Sequence, residues 1–240
     1  MTDRTLLGIL TPSSNTRLEP LTARMLEGID GVSAHFSRFR VVDVGLAAAN
    51  QFDPEPILAA ADLLADARVD AIAWSGTSGG WRGLEDDRAL CAAISERTGI
   101  PSTTSTLALI EALGLLGASS LGLVTPYPVD MHAAVVSTFE SAGLDVIGAS
   151  HAVTASNWEL SEIPPAVIAG LVEATAAEHP DAITIFCTNL ATADLVADWE
   201  DGYGIPVLDS VTLAVWHALE LSGYAGPVPQ GWGRLFDLGR

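Results

Sequence analysis

Short apolar runs ending in polar turns alternate with amphipathic stretches along the whole chain. Residues 6–11 form an apolar run, closed by Pro12-Ser13-Ser14-Asn15-Thr16 and followed by a helical pattern through about Met25. That order predicts a strand, a loop and a helix. Residues 32–44 predict a second strand, with alternation in HFSRFRV, and residues 54–67 a helix. Residues 69–74 predict a third strand running into Ser75-Gly76-Thr77-Ser78-Gly79-Gly80. Trp81-Arg82-Gly83 then delays the next helix to residues 84–97. Gly99-Ile100-Pro101 leads a short strand and a helix over 106–116.

The pattern then starts again. Leu121-Gly122-Leu123-Val124-Thr125-Pro126 repeats Leu7-Gly8-Ile9-Leu10-Thr11-Pro12. Asp181-Ala182-Ile183 repeats Asp70-Ala71-Ile72, and Gly204-Ile205-Pro206 repeats Gly99-Ile100-Pro101. Three matches in one order point to internal duplication. Strands alternating with helices predict an α/β protein of two pseudo-symmetric Rossmann-like halves, each a parallel sheet flanked by helices. The expected halves are residues 1–116 and 117–209, with residues 210–240 packing back on the first. The expected active site is the cleft between them, because open α/β sheets bind ligands beyond the carboxyl ends of their strands.

The repeat supplies an internal alignment. Setting DAIAWSGTS over DAITIFCTN pairs Gly76 with Cys187, Thr77 with Thr188 and Ser78 with Asn189. An apolar strand therefore delivers one thiol to a strand end, facing a glycine. A protonated thiol there is suited to giving a proton to a carbanion, the last step of a cofactor-free carbon-acid reaction.

Composition narrows the partners. Apolar residues make up 49% of the chain, enough for a core without disulfides or metal. No run of apolar residues is long enough to span a membrane, and MTDRTLLGIL lacks the basic flank of a signal peptide, so the expected compartment is the cytoplasm. The net charge is −19 and lysine is absent, which argues against nucleic acid and membrane partners. An anionic substrate must therefore be held by local donors. A homo-oligomer remains open. Neither Cys91 nor Cys187 has metal-ligand spacing, and His35, His132, His151, His179 and His217 are scattered, so no metal or cofactor is expected. Cys91 reads as a buried core thiol. Glu85-Asp86-Asp87 reads as a solvated helix start favoured by the helix dipole. Trp74 and Trp81 flank the Gly76 turn, as pocket wall or as core.

Gly76-Thr77-Ser78-Gly79-Gly80 also satisfies the G-x-S-x-G pattern of a serine hydrolase, with Asp194 or Asp209 and His217 later in the chain. The delayed helix and the internal repeat account for that turn without a triad.

At LGILTPSSNT, AWSGTSGGWRG, TGIPSTTSTLALIEAL, LGLVTPYPVD, IFCTNL and GRLFD, the sequence resembles the aspartate/glutamate racemase superfamily, nearest to arylmalonate decarboxylases and maleate cis–trans isomerases. The resemblance covers essentially the whole chain. Racemases and isomerases of this superfamily use a cysteine in each half, whereas the decarboxylases keep the second and carry Gly-Thr-Ser in place of the first. Gly76-Thr77-Ser78 with Cys187 matches the decarboxylase arrangement. The resemblance implies a dioxyanion site at Thr77, Ser78, Tyr127 and the backbone around Thr188. Thr188 stands where the decarboxylase pattern has glycine. The loop at Pro12 and Asn15, and Ser156-Asn157-Trp158-Glu159-Leu160, look more like isomerase segments. They make Asn15 and Asn157 candidates for holding a second carboxylate.

The function implied is decarboxylation of a malonate-type small dicarboxylic acid, with Cys187 as proton donor. The alternatives are a maleate isomerase-like or racemase-like enzyme, or an acid-binding protein without catalysis.

Overall fold

The apolar runs become parallel strands in two four-stranded sheets, in a computed structural model that describes residues 4–43, 45–46, 51–152 and 156–239. β1 (Thr5–Pro12), β2 (Val32–Phe39), β3 (Ala71–Trp74) and β4 (Ser102–Thr104) lie in the order β2-β1-β3-β4. β5 (Ser120–Thr125), β6 (Asp145–His151), β7 (Ala182–Ile185) and β8 (Val207–Asp209) lie in the order β6-β5-β7-β8. The two orders are the same once renumbered, which is what a duplication requires.

Register agrees to the residue. Leu7 lies opposite Ala71, and Leu121 opposite Ala182. The aspartate ahead of each third strand anchors the central strand beside it. Asp70 Oδ2 accepts the Leu6 N–H at 2.7 Å, and Asp181 Oδ2 accepts the Ser119 and Ser120 N–H groups at 2.8 Å. These bonds hold the Asp181 carboxyl down at about 2.

Helices cover the sheets: α1 (Leu18–Met25), α2 (Pro54–Asp66), α3 (Gly79–Arg82), α4 (Leu84–Thr98) and α5 (Ser105–Leu116) in the first part of the chain. The second part contributes α6 (Val129–Ser141), α7 (Asn157–Leu160), α8 (Pro165–Ala176), α9 (Val196–Tyr203) and α10 (Ser210–Leu221). The last residue of β4, Thr104, caps α5 through the Leu107 N–H, and the last residue of β8, Asp209, caps α10 through the Val211 N–H. Such caps satisfy backbone donors that the helix leaves unpaired.

One large core runs through both sheets, with Leu7, Ile9, Leu123, Ile183, Ile185 and Trp216 among its buried members. A smaller one, including Leu10, Phe39, Ile57, Ile72 and Trp74, lies between the first sheet and α2 and α4. α10 packs on α5, β3 and β4, so the end of the chain covers the first sheet. The segment after it straddles both halves. The Arg24 guanidinium lies over Trp232, and Glu200 accepts the Arg234 N–H; Arg240 lies outside the described residues. Among the described residues no helix is long and apolar enough to cross a membrane.

Three expectations are corrected. β2 ends at Phe39, because the chain beyond turns away to bridge Asp43 to Ser156 of the other half; Val44 lies outside the described residues. The Gly76 turn enters a short helix at once, at Gly79, before α4 begins. Asp87 is buried, not solvated, because the first turn of α4 presses it against Gly79 and Thr104.

Candidate active site

The two strand-end turns have the same backbone. The Ser75 N–H bonds Leu10 O at 3.2 Å and the Phe186 N–H bonds Val124 O at 2.9 Å. One residue on, Gly76 N–H bonds Trp74 O and Cys187 N–H bonds Ile185 O, at 2.9 and 3.2 Å. Gly76 and Cys187 are therefore structural equivalents, one from each half.

Around them lies a cavity of about 450 Å³, part of it open to solvent. Pro12, Gly76, Thr77, Ser78, Tyr127, Asn157, Cys187 and Thr188, singled out in the sequence, all line it. Asn15 does not. It is buried, and its side-chain amide donates to Thr188 O and Thr188 Oγ1 at 3.1 and 3.2 Å while accepting from the Arg17 and Leu18 N–H groups. It orders the Thr188 turn from behind. Asn157 lines the cavity with its Nδ2 donating to Ser14 Oγ at 2.7 Å.

Each half completes the other's turn. Tyr127, just after β5, meets Thr77 of the first half, hydroxyl to hydroxyl at 2.7 Å. Asn15, just after β1, meets Thr188 of the second half. The loop after each central strand thus reaches across to the opposite half's turn, and the cavity exists only where the halves meet.

Among the described residues, the cavity lining includes no lysine, arginine or histidine, and Asp43 places a carboxylate on it. Burial pushes the Cys187 thiol up to about 12, against the opposing pull of the Asn189 N–H, 3.4 Å from Sγ, and of Tyr127. Burial, and next the neighbouring Cys187, raise Tyr127 well above its ordinary value. Both groups stay protonated through the ordinary pH range. Asp209 lies farther back, raised to about 7 by burial and holding Val211 N–H and Thr192 Oγ1.

Sequence reasoning missed the aromatic wall. Phe52, Trp81 and Tyr127 follow one another edge to face, with centroids 6.1 and 5.3 Å apart. Trp81 was visible as a flank of the turn, but Phe52 sits in a loop with no periodic signal. Asp43 and Val41 reach the cavity from the same loop. Cys91 is half-buried rather than buried, and its thiol is likewise pushed up to about 12. Asp87, raised to about 6 by burial, stands behind the Gly76 turn with Thr104 Oγ1 donating to it.

No triad assembles at Ser78. Ser78 Oγ accepts from Trp74 Nε1, His217 Nδ1 pairs with Thr103 Oγ1, and Asp194 pairs with Arg24. Among the described residues, no group of histidine, cysteine or acid side chains is arranged to hold a metal.

The family profile for arylmalonate decarboxylase matches residues 40–236. The arylmalonate decarboxylase of Bordetella bronchiseptica is 29% identical over 159 residues, 65% of this chain and 66% of that one. The maleate isomerase of Nocardia farcinica is 28% identical over 240 residues, 95% of this chain and 94% of that one. The solved structure of Nocardia farcinica maleate cis–trans isomerase bound to TRIS is similar with a TM-score of 0.88 at 25% identity, covering 97% of each chain.

Proposed function

Because the chain belongs to the arylmalonate decarboxylase family, we propose that it decarboxylates a malonate-type small acid without a cofactor and that Cys187 is its proton donor. The observation that carries this reading is the unequal pair: a protonated thiol on one turn and glycine at the equivalent point of the other.

Loss of CO2 breaks a carbon–carbon bond and leaves its electron pair on the α-carbon. The pair delocalises into the remaining carboxylate as an enediolate. Donors aimed at those two oxygens stabilise it most where the charge develops. The hydroxyls of Thr77, Ser78 and Tyr127 and the backbone at Thr188 are the proposed donors. Each contributes about 2.7–4 kcal/mol on the scale of single oxyanion-hole donors. The apolar wall of Val41, Phe52 and Trp81 receives the substituent and leaves the departing carboxylate poorly hydrated. The Cys187 proton then goes to the α-carbon, and solvent returns a proton to the thiolate. A thiol raised to about 12 is in the form this step needs.

A second reading is cis–trans isomerisation of a maleate-type diacid. It is favoured by Asn157 at the cavity and by similarity to a maleate isomerase along 95% of the chain. It needs a nucleophilic thiolate, which the burial of Cys187 disfavours. Incubation in D2O separates the two. A 2-aryl-2-methylmalonate should release CO2 and give the 2-aryl acid deuterated on one face. Turnover of maleate to fumarate, with the malonate inert, would replace the first reading by the second.

A further inference from the structure

The place opposite Cys187 is filled. A Cβ built on Gly76 would lie 2.1, 2.2 and 2.7 Å from Cζ2, Cε2 and Cη2 of the Trp74 indole, closer than a side-chain carbon can sit. That ring has little freedom to yield. Trp74 is 1% exposed, its Nε1–H donates to Ser78 Oγ at 3.2 Å, and its ring packs on Phe39 with centroids 4.7 Å apart. It also lines the cavity shared with Cys187. Register pairs Trp74 with Leu10 and Ile185 with Val124, so Ile185 is its counterpart in the second half. There the smaller side chain leaves Cys187 room for its Cβ.

We infer that Trp74 is the residue that sets face selectivity: its indole closes the side of the cavity from which a second thiol or a water would reach the α-carbon, so the proton arrives from Cys187 alone. The inference rests on the proton-donor reading of Cys187. It makes Trp74 a specificity-determining residue, with no proton passing through it. It also orders cause and effect in the first turn. Glycine at position 76 follows from tryptophan at 74, and adding a thiol there without moving the indole cannot build a two-sided site.

In a two-sided site the introduced thiolate would remove the α-hydrogen of a 2-aryl acid, leaving the electron pair on the substrate as an enediolate. The Cys187 thiol would deliver a proton to the opposite face. Proton exchange with solvent restores both sulfurs, and nothing is oxidised or reduced.

The test compares wild type, Trp74→Leu, Gly76→Cys and the double variant. Racemisation and α-deuteration of each enantiomer of 2-phenylpropionate in D2O are followed by chiral chromatography and mass spectrometry. The double variant should racemise at least ~10-fold faster than Gly76→Cys alone, within the ~10²-fold that about 1 Å of misplacement costs. Trp74→Leu alone should lower the enantiomeric purity of the acid formed from a prochiral malonate, a readout that loose packing far from the substrate would not move. A Gly76→Cys protein that racemises as fast as the double variant overturns the inference, and so does unchanged purity in Trp74→Leu.

A substrate-free arm keeps the steric claim separate from the reaction assigned above. Gly76→Ala, the gentler variant, should lower Tm, and Trp74→Leu should cancel most of that loss, as coupled neighbours do in a double-mutant cycle. Additive losses overturn the inference whatever the substrate. If the coupling holds while no malonate is turned over, it is the assigned reaction that fails.

Discussion

The Gly76 and Cys187 turns share a backbone and differ in what stands above it. In both, the second residue after the strand is bonded back to the strand's last carbonyl. In the second half that strand ends in Ile185, and Cys187 carries its buried thiol there. In the first half it ends in Trp74, whose ring takes up the space a side chain would need. Hydrogen bonds fix where the two positions are, and the side chain two residues earlier decides what each can carry. Duplication supplies a symmetric frame, and packing removes the symmetry.

The sharpest way to break this contrast is to remove the thiol. Cys187→Ser should cut product formation by about 10²–10⁴-fold, the usual contribution of a positioned proton donor. Substrate affinity by calorimetry should stay within a few-fold. An active serine variant would mean that the two turns differ in packing only.

Next comes the tie between the halves. Tyr127→Phe removes a donor and leaves Thr77 without its partner. It should lower kcat by about 10²–10³-fold, with a smaller change in KM.

The burial of Cys187 makes a pH prediction. A thiol held near about 12 stays protonated where a free one ionises. Decarboxylation should therefore show no loss of rate on passing about pH 8.5, the ordinary thiol value. A break there would mean that water reaches the sulfur.

Two buried acids extend the comparison to stability. Asp87 behind the first turn is raised to about 6 and Asp209 behind the second to about 7, each by burial. The folded state then binds their protons more tightly than the unfolded chain does. Their contribution is fully present below the unfolded value of 3.8 and is lost as pH rises toward about 6 and about 7. Urea unfolding across that range should show a falling stability that Asp87→Asn and Asp209→Asn each flatten. A slope unchanged in both variants would mean neither carboxyl is as dry as its position indicates.

The smallest effect is expected at the strand starts. Asp181→Ala should lower Tm slightly and Asp70→Ala less, because Asp181 accepts more N–H groups. The Asp181 contribution should vanish as pH falls from 3.8 to about 2.

The architecture was legible because it depends on period and repetition. Apolar runs, their polar ends and the two copies of L-G-x-x-T-P gave the two parallel α/β halves and the pairing of Gly76 with Cys187, while the strand order and register came from the structure. What stayed hidden depends on contacts between residues distant in sequence. Asp87 reads as a surface acid because nothing nearby in sequence shows Thr104 closing over it. Asn15 reads as a ligand for substrate because its bond to Thr188 spans 173 positions. Trp74 could be wall or core from its neighbours alone, and in the structure it is both.

The placement of α10 has a consequence during synthesis. This helix, Ser210–Leu221, lies on β3 and β4, which precede it by more than a hundred residues. While the ribosome is still translating, the first sheet is formed in sequence but lacks the helix that covers that face. That face of the sheet stays without its cover until residues 210–221 emerge. Domains usually fold in the order in which they are made. Here the half that is made first is the half that must finish last.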